Sequence, residues 1–205
     1  MDSYITVRKY ASFEYEDRKS VFIGEALPVS TEDEALSFID SVKKKYPDAR
    51  HHVYAYVLRD NSIMRFTDDG EPQGTAGMPV LDVIRKNGIT DIAVVVTRYF
   101  GGTLLGTGGL VRAYTAAALG AVKEAEIITY DVYTTLKIEA SYSDYQKFAP
   151  IFTELEYRTA DVRYTDKVVL SGSVRKINLD KLIDNLTQVT SGRAKIEIID
   201  EKFDF

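Results

Sequence analysis

The sequence predicts an α+β protein of two domains, residues 1–126 and 127–205. Three observations carry that expectation. The most apolar strand segment, "DIAVVVTRY" (Asp91–Tyr99), reads as a central strand and runs into a glycine-rich loop and an alanine-rich helix. After Glu126 the pattern becomes β-α-β-β-α-β, the ferredoxin-like arrangement, complete within about 80 residues. The composition, 45 % hydrophobic and 28 % charged, is ordinary for a folded soluble chain.

The elements follow in order. Tyr4–Tyr10 and Ser20–Val29 alternate as strands do. In "STEDEALSFIDSVKKKYP" Ser30 or Thr31 can cap a helix, with Glu34 placed for a capping box. Ala35, Phe38, Ile39 and Val42 form its apolar face, and Pro47 closes it. His51–Leu58 reads as a strand, with Ser62–Thr67 as a candidate hairpin partner. "DDGEPQGTAG" is a turn-rich loop and "MPVLDVIRKNG" a short helix ending before Gly88. After the central strand, Gly109–Ala125 is helical. In the second domain "IITYDVYTTLKIEAS" is a long strand and "YSDYQKFAPIFTELEY" one helix. "RTADVRYTD" and "KVVLSGSVRK" form a hairpin, Asn178 caps a helix that stops near Gly192, and "RAKIEIID" is the last strand. No Gly/Ser linker separates the domains.

The composition narrows the function. With a net charge of −5, attraction of the whole molecule to nucleic acid is not expected, so any such binding needs a local basic patch. No cysteine is present, which excludes a disulfide framework, a thiolate zinc site and a cysteine nucleophile, and suits a reducing compartment. The N-terminus lacks a signal-peptide core and no stretch has the length of a membrane span, so a cytoplasmic protein without a membrane partner is expected.

Two loops can carry chemistry. In "VVVTRYFGGTLLGTGGLVRAYTAAA", Gly101, Gly102, Gly106, Gly108 and Gly109 lie between Arg98 and Arg112. A helix start leaves its first N–H groups unpaired and carries partial positive charge, and glycines let a ligand approach the backbone. Thr107 adds a hydroxyl. These residues make an anion cradle. The same glycines, with Ala113, Ala116, Ala117, Gly120 and Ala121, equally serve close packing of helix on sheet. The spacing is neither a P-loop nor a dinucleotide fingerprint.

The second loop places Asp68, Asp69 and Glu71 within four residues. They could hold Mg²⁺, meet a cationic group, or act as an acid/base pair; "DDGEP" is also a plain turn. His51 and His52 are the only histidines and, as strand neighbours, point to opposite faces. His52 and Thr75 are candidates to assist; a triad drawn through Ser62 or Thr75 has no "GxSxG" context. In the second domain, Arg158, Arg163, Lys167, Arg175 and Lys176 beside Tyr157 and Tyr164 suggest either single-stranded RNA binding or a solvated charged face.

"FTDDGEPQGTAGMPVL", followed by the paired "RYFGG" and "LGTGGL" blocks, resembles the YigZ/IMPACT family, and "HHVYAYVL" is similar to the family's histidine-bearing strand. The resemblance covers residues 1 to about 125; the remainder resembles the C-terminal domain of the bacterial two-domain members. It implies an N-terminal α/β sandwich like the second domain of a small-subunit ribosomal protein, a fold shared with translation factors and GHMP kinases. It also implies a C-terminal domain like a late domain of elongation factor G. Eukaryotic relatives act in translational control through a regulatory protein partner. The function expected is therefore a translation-linked, non-catalytic binding protein without a cofactor, contacting RNA, the ribosome or a nucleotide. The alternatives are a Mg²⁺-dependent phosphate-ester or nucleotide-processing enzyme and a protein–protein adaptor.

Overall fold

The structure, a computed structural model, describes residues 3–59 and 63–205. Ser62 lies outside them. The chain forms two compact units, one of Tyr4–Thr129 and one to which Tyr130–Phe205 belong.

The first unit contains β1 (Ser3–Val7), β2 (Ala11–Asp17), β3 (Ser20–Pro28), α1 (Glu32–Lys45), β4 (His51–Val57), β5 (Met64–Thr67), α2 (Gly77–Lys86), β6 (Ile92–Tyr99) and α3 (Gly106–Glu124). An antiparallel sheet of order β2-β3-β6-β4-β5 puts the apolar β6 at its centre, as its composition predicts. Val94 and Val96 of β6 pack with Tyr114, Ala117 and Ala121 of α3 and with Val80 and Ile84 of α2. Ala93 and Val95 point the other way, into Phe38, Ile39 and Val42 of α1. A strand buried on both faces has no polar side to show, which is why its sequence does not alternate.

α1 starts on the capping box: the Thr31 hydroxyl accepts from Glu34 N at 3.2 Å, while the Glu34 carboxylate accepts from Ser30 N at 2.6 Å. β2 is a strand that the sequence pattern does not announce. It is an edge strand with no fully buried position, joined to β3 through Arg18 and Lys19, at φ 48° and 67°. Two successive left-handed residues make the tight turn that normally calls for Asn-Gly.

The second unit comprises β7 (Ile127–Ala140), α4 (Tyr142–Tyr145), α5 (Phe148–Glu154), β8 (Arg158–Tyr164), β9 (Val168–Arg175), α6 (Leu179–Thr190) and β10 (Lys195–Asp204). Its four strands are antiparallel in the order β10-β7-β9-β8. Leu136, Ile138 and Leu170 pack on Phe148, Leu182 and Leu186 from the helices. The helix expected over 142–157 is broken at Gln146 and Lys147, because Pro150 lacks the N–H that a continuous helix would send back to residue 146. Asn178 precedes α6 but makes no side-chain cap; its amide donates to Leu155 O at 3.3 Å.

Candidate functional site

The glycine loop divides by role. Gly101 is fixed by packing: its N–H donates to Ser20 Oγ at 3.0 Å, and a Cβ there would stand 2.1 Å from the Lys19 backbone. Gly102 and Gly106 take left-handed φ values of 83° and 71° with nothing near the missing side chain. α3 begins at Gly106, three residues before the expected start, so Gly106, Thr107, Gly108 and Gly109 form the first helical turn. Gly106, Thr107 and Gly108 are exposed; Gly109 is buried against Leu105. Leu105 supplies no side-chain cap and the first turn holds no acidic residue. The donor end of a 19-residue helix therefore opens outward without a neutralising group. The exposed Arg112 lies over it, its Nη1 3.8 Å from where a Gly108 Cβ would be and its Nη2 4.0 Å from the Gly109 equivalent. Among the described residues Arg112 has no ion pair.

Arg98 is placed differently from the expectation that it would meet an anion. Only 7 % exposed, it directs Nη1 to Glu71 Oε1 at 2.7 Å, and the same oxygen accepts from the Tyr114 hydroxyl at 2.7 Å. The guanidinium carbon lies 5.4 Å from the Phe22 ring centre and 5.6 Å from that of Phe100. Burial first, and the Glu71 carboxylate second, raise the Tyr114 phenol far above its ordinary range.

The other residues of the acidic loop are likewise held inside the unit. Asp68 accepts from Gly74 N at 2.8 Å, from Ala76 N at 3.1 Å and from Gly77 N at 2.8 Å, so it caps α2 from eight or nine residues upstream. Asp69, at φ 44°, accepts from His52 N at 2.6 Å. Thr75 donates its hydroxyl to Pro72 O at 2.6 Å, and His52 is buried with Nε2 on Tyr46 O at 3.1 Å. Among the described residues no cluster of three carboxylates or histidines could hold a metal. Asp68→Ala orphans three backbone donors, and a loss of about 2 kcal/mol in thermal or urea unfolding is expected, with Asp68→Asn costing less because one acceptor oxygen remains.

Sequence reasoning missed a neighbouring cleft of about 660 Å³ lined by Asp48, Arg50, His51, Arg98, Phe100 and Leu104. The alternation of β4 does send the two histidines apart, but it is His51, not His52, that reaches this cleft. His51 Nδ1 sits 2.7 Å from the Asp69 carbonyl, which can only accept, so Nδ1 is the donor there, and in the neutral imidazole the lone pair belongs to Nε2. The signal available in the sequence was the run "ARHH" next to "RYF", a basic and aromatic set at the paired ends of two strands (His51 pairs with Arg98).

Two family descriptions match this chain: the Impact N-terminal domain over residues 18–122 and the domain of unknown function DUF1949 over 138–193. IMPACT family member YvyE of Bacillus subtilis is 34 % identical over 198 residues, covering 96 % of this chain and 91 % of the relative. The chain belongs to the IMPACT family. Member YigZ of Escherichia coli is 29 % identical over 98 % of this chain and all of its own length. Protein IMPACT of rat matches only 94 residues, 32 % identical, covering 44 % of this chain and 30 % of the rat protein. A crystal structure titled as that of a hypothetical protein superposes with a TM-score of 0.61 at 29 % identity, covering 98 % of this chain and all of that one.

The second unit of this IMPACT family chain gives less to a ligand than its basic residues suggest. Arg158 pairs with Asp204, Arg163 with Asp161, Arg175 with Asp131 and Glu156, and Lys176 with Glu201. Tyr157 is buried, and Arg158 and Arg175 both turn to the Tyr133 hydroxyl. Apart from Lys167, for which no ion pair stands among the described residues, these cations are balanced by carboxylates rather than set in a basic stripe. No helix among the described residues is long and apolar enough to cross a membrane.

Proposed function

We propose that the protein is a non-catalytic, translation-linked binding protein that grips phosphate, of RNA or of a nucleotide, at the start of α3. The observation that carries this reading is the uncapped first turn, Gly106, Thr107 and Gly108, with the unpaired Arg112 guanidinium beside it. Backbone donors, helix dipole and one exposed cation converge there. Arg98 acts from behind, holding Glu71 and lying over the Phe100 ring. Gly101, Gly102 and Gly109 shape the loop rather than touch the ligand.

The link to translation rests on family membership and on the likeness expected of the two units to a ribosomal-protein domain and a late domain of elongation factor G, an analogy of fold. A regulatory protein partner and the ribosome belong to the same proposal. The enzyme alternative draws no support from the acidic loop, whose carboxylates already accept from Arg98, Tyr114 and backbone N–H groups.

Fluorescence anisotropy with short single-stranded RNA at low salt tests the site. Arg112→Ala is expected to weaken binding about tenfold, the worth of one charge-assisted hydrogen bond. The slope of log affinity against log salt should become shallower by about 0.7. Unchanged affinity and slope would overturn the proposal.

A further inference from the structure

The cleft beside the glycine loop holds groups that phosphate binding at α3 does not use. We propose that it receives a nucleobase bearing a phosphate, either within single-stranded RNA or as a free nucleotide. The inference rests on the phosphate-binding reading above and adds the part of the ligand that would be recognised.

Phe100 is 56 % exposed although it adjoins the central strand. The Arg98 guanidinium lies over the ring at 5.6 Å and is itself tied to Glu71 in the interior. One face of the ring therefore rests on a buried cation, and the side chain remains open enough to take a stacked base. Leu104, 82 % exposed, supplies further apolar surface at the rim.

The polar groups of the cleft divide by hydrogen-bonding sense. Arg50 is exposed and, among the described residues, has no ion pair, so it adds a second cation to Arg112 for the phosphate. In the neutral imidazole His51 Nε2 is the acceptor, because the Asp69 carbonyl takes the Nδ1–H. Asp48 adds carboxylate acceptors. A carboxylate repels phosphate, but it accepts well from an exocyclic amino group. Two acceptors at the base edge and cations for the phosphate favour bases that carry an amino group. Cytosine should therefore be preferred over uracil, which presents a carbonyl oxygen at the same position.

The test titrates the full chain with octacytidylate, octauridylate, cytidine monophosphate and inorganic tripolyphosphate. Octacytidylate should bind more tightly than octauridylate. Phe100→Ala should weaken octacytidylate about tenfold, the loss of one base stack, and leave tripolyphosphate unchanged. Phe100→Leu, which keeps apolar bulk without a flat ring, should behave as Phe100→Ala does. Arg112→Ala should weaken both ligands. Phe100-dependent binding of cytidine monophosphate identifies a free nucleotide as the source; binding of the oligonucleotide alone identifies a strand. If Arg112→Ala weakens octacytidylate but Phe100→Ala does not, the base site is wrong and the phosphate site stands. If Phe100→Ala weakens tripolyphosphate equally, the ring only shapes the loop and the base site is again wrong. If the unaltered protein binds none of the four, both readings fall.

Discussion

Arg98→Ala is expected to remove about 3–5 kcal/mol of stability from the N-terminal unit, read as a lower urea midpoint. The reason is asymmetry. Arg98 and Glu71 have side chains only 8 % and 4 % exposed, so each lost its hydration on folding. Their mutual attraction offsets that loss only partly, since Arg98 Nε is buried without an acceptor. The intact pair therefore contributes little net stability, but removing one half leaves a carboxylate buried with a phenol as its remaining partner. Tyr114→Phe should cost less, about 1.5–3 kcal/mol, because Arg98 still neutralises Glu71. The double variant Arg98→Met with Glu71→Leu should be more stable than Arg98→Ala alone, as no uncompensated charge remains. A wild-type midpoint for Arg98→Ala would show that Glu71 has no need of its cation. The same expectation explains why Arg98 is a poor probe of ligand binding: a loss of binding in that variant would report a damaged unit.

What the sequence discloses here depends on whether the controlling forces are local. The capping box of α1, the centrality of β6 and the β7–β10 order are readable because periodicity and short-range hydrogen bonds set them. The Glu71–Arg98 pair is not, since its partners are 27 residues apart and meet only when the acidic loop folds over the end of β6. The start of α3 escapes for a related reason. Glycines argue against helix by propensity, yet Gly106–Gly109 are drawn into the first turn by packing at Leu110 and Ala113. The histidines show the limit most clearly. Strand alternation separates His51 from His52, but nothing local says which face opens on the cleft and which is covered by α1. The expectation names His52 to assist, while the structure buries His52 on Tyr46 O and sets His51 in the cleft.

The second large effect answers whether the glycines serve packing or a ligand, because the two groups respond oppositely to the same added methyl. Gly24→Ala places a Cβ 2.3 Å from Ala117 O and 2.8 Å from Ala117 C. Both are backbone atoms of α3, so no rotamer change relieves the clash; the helix must lift off β3, breaking the contact of Phe22 and Tyr114, whose rings are 5.1 Å apart. A loss of about 3 kcal/mol is expected, and Gly101→Ala should behave similarly against the Lys19 backbone at 2.1 Å. The nearest atoms that Gly120→Ala meets are those of the Phe13 ring, a side chain on an edge strand that can turn away, and it should cost less. Gly108→Ala has ordinary contact with Arg112 alone and exchanges the poorest helix former but proline for the best, so its unfolding midpoint should be unchanged or slightly raised. The ranking Gly24 and Gly101 far below Gly120, with Gly108 at or above wild type, can be measured by urea unfolding of the four variants. If Gly108→Ala instead destabilises as much as Gly24→Ala, the start of α3 is a packing device and its open donors lose their standing as a phosphate grip. If it is stable and binds RNA more weakly, the methyl has covered the N–H groups that a phosphate would use, and stability and binding have been separated at a single carbon atom.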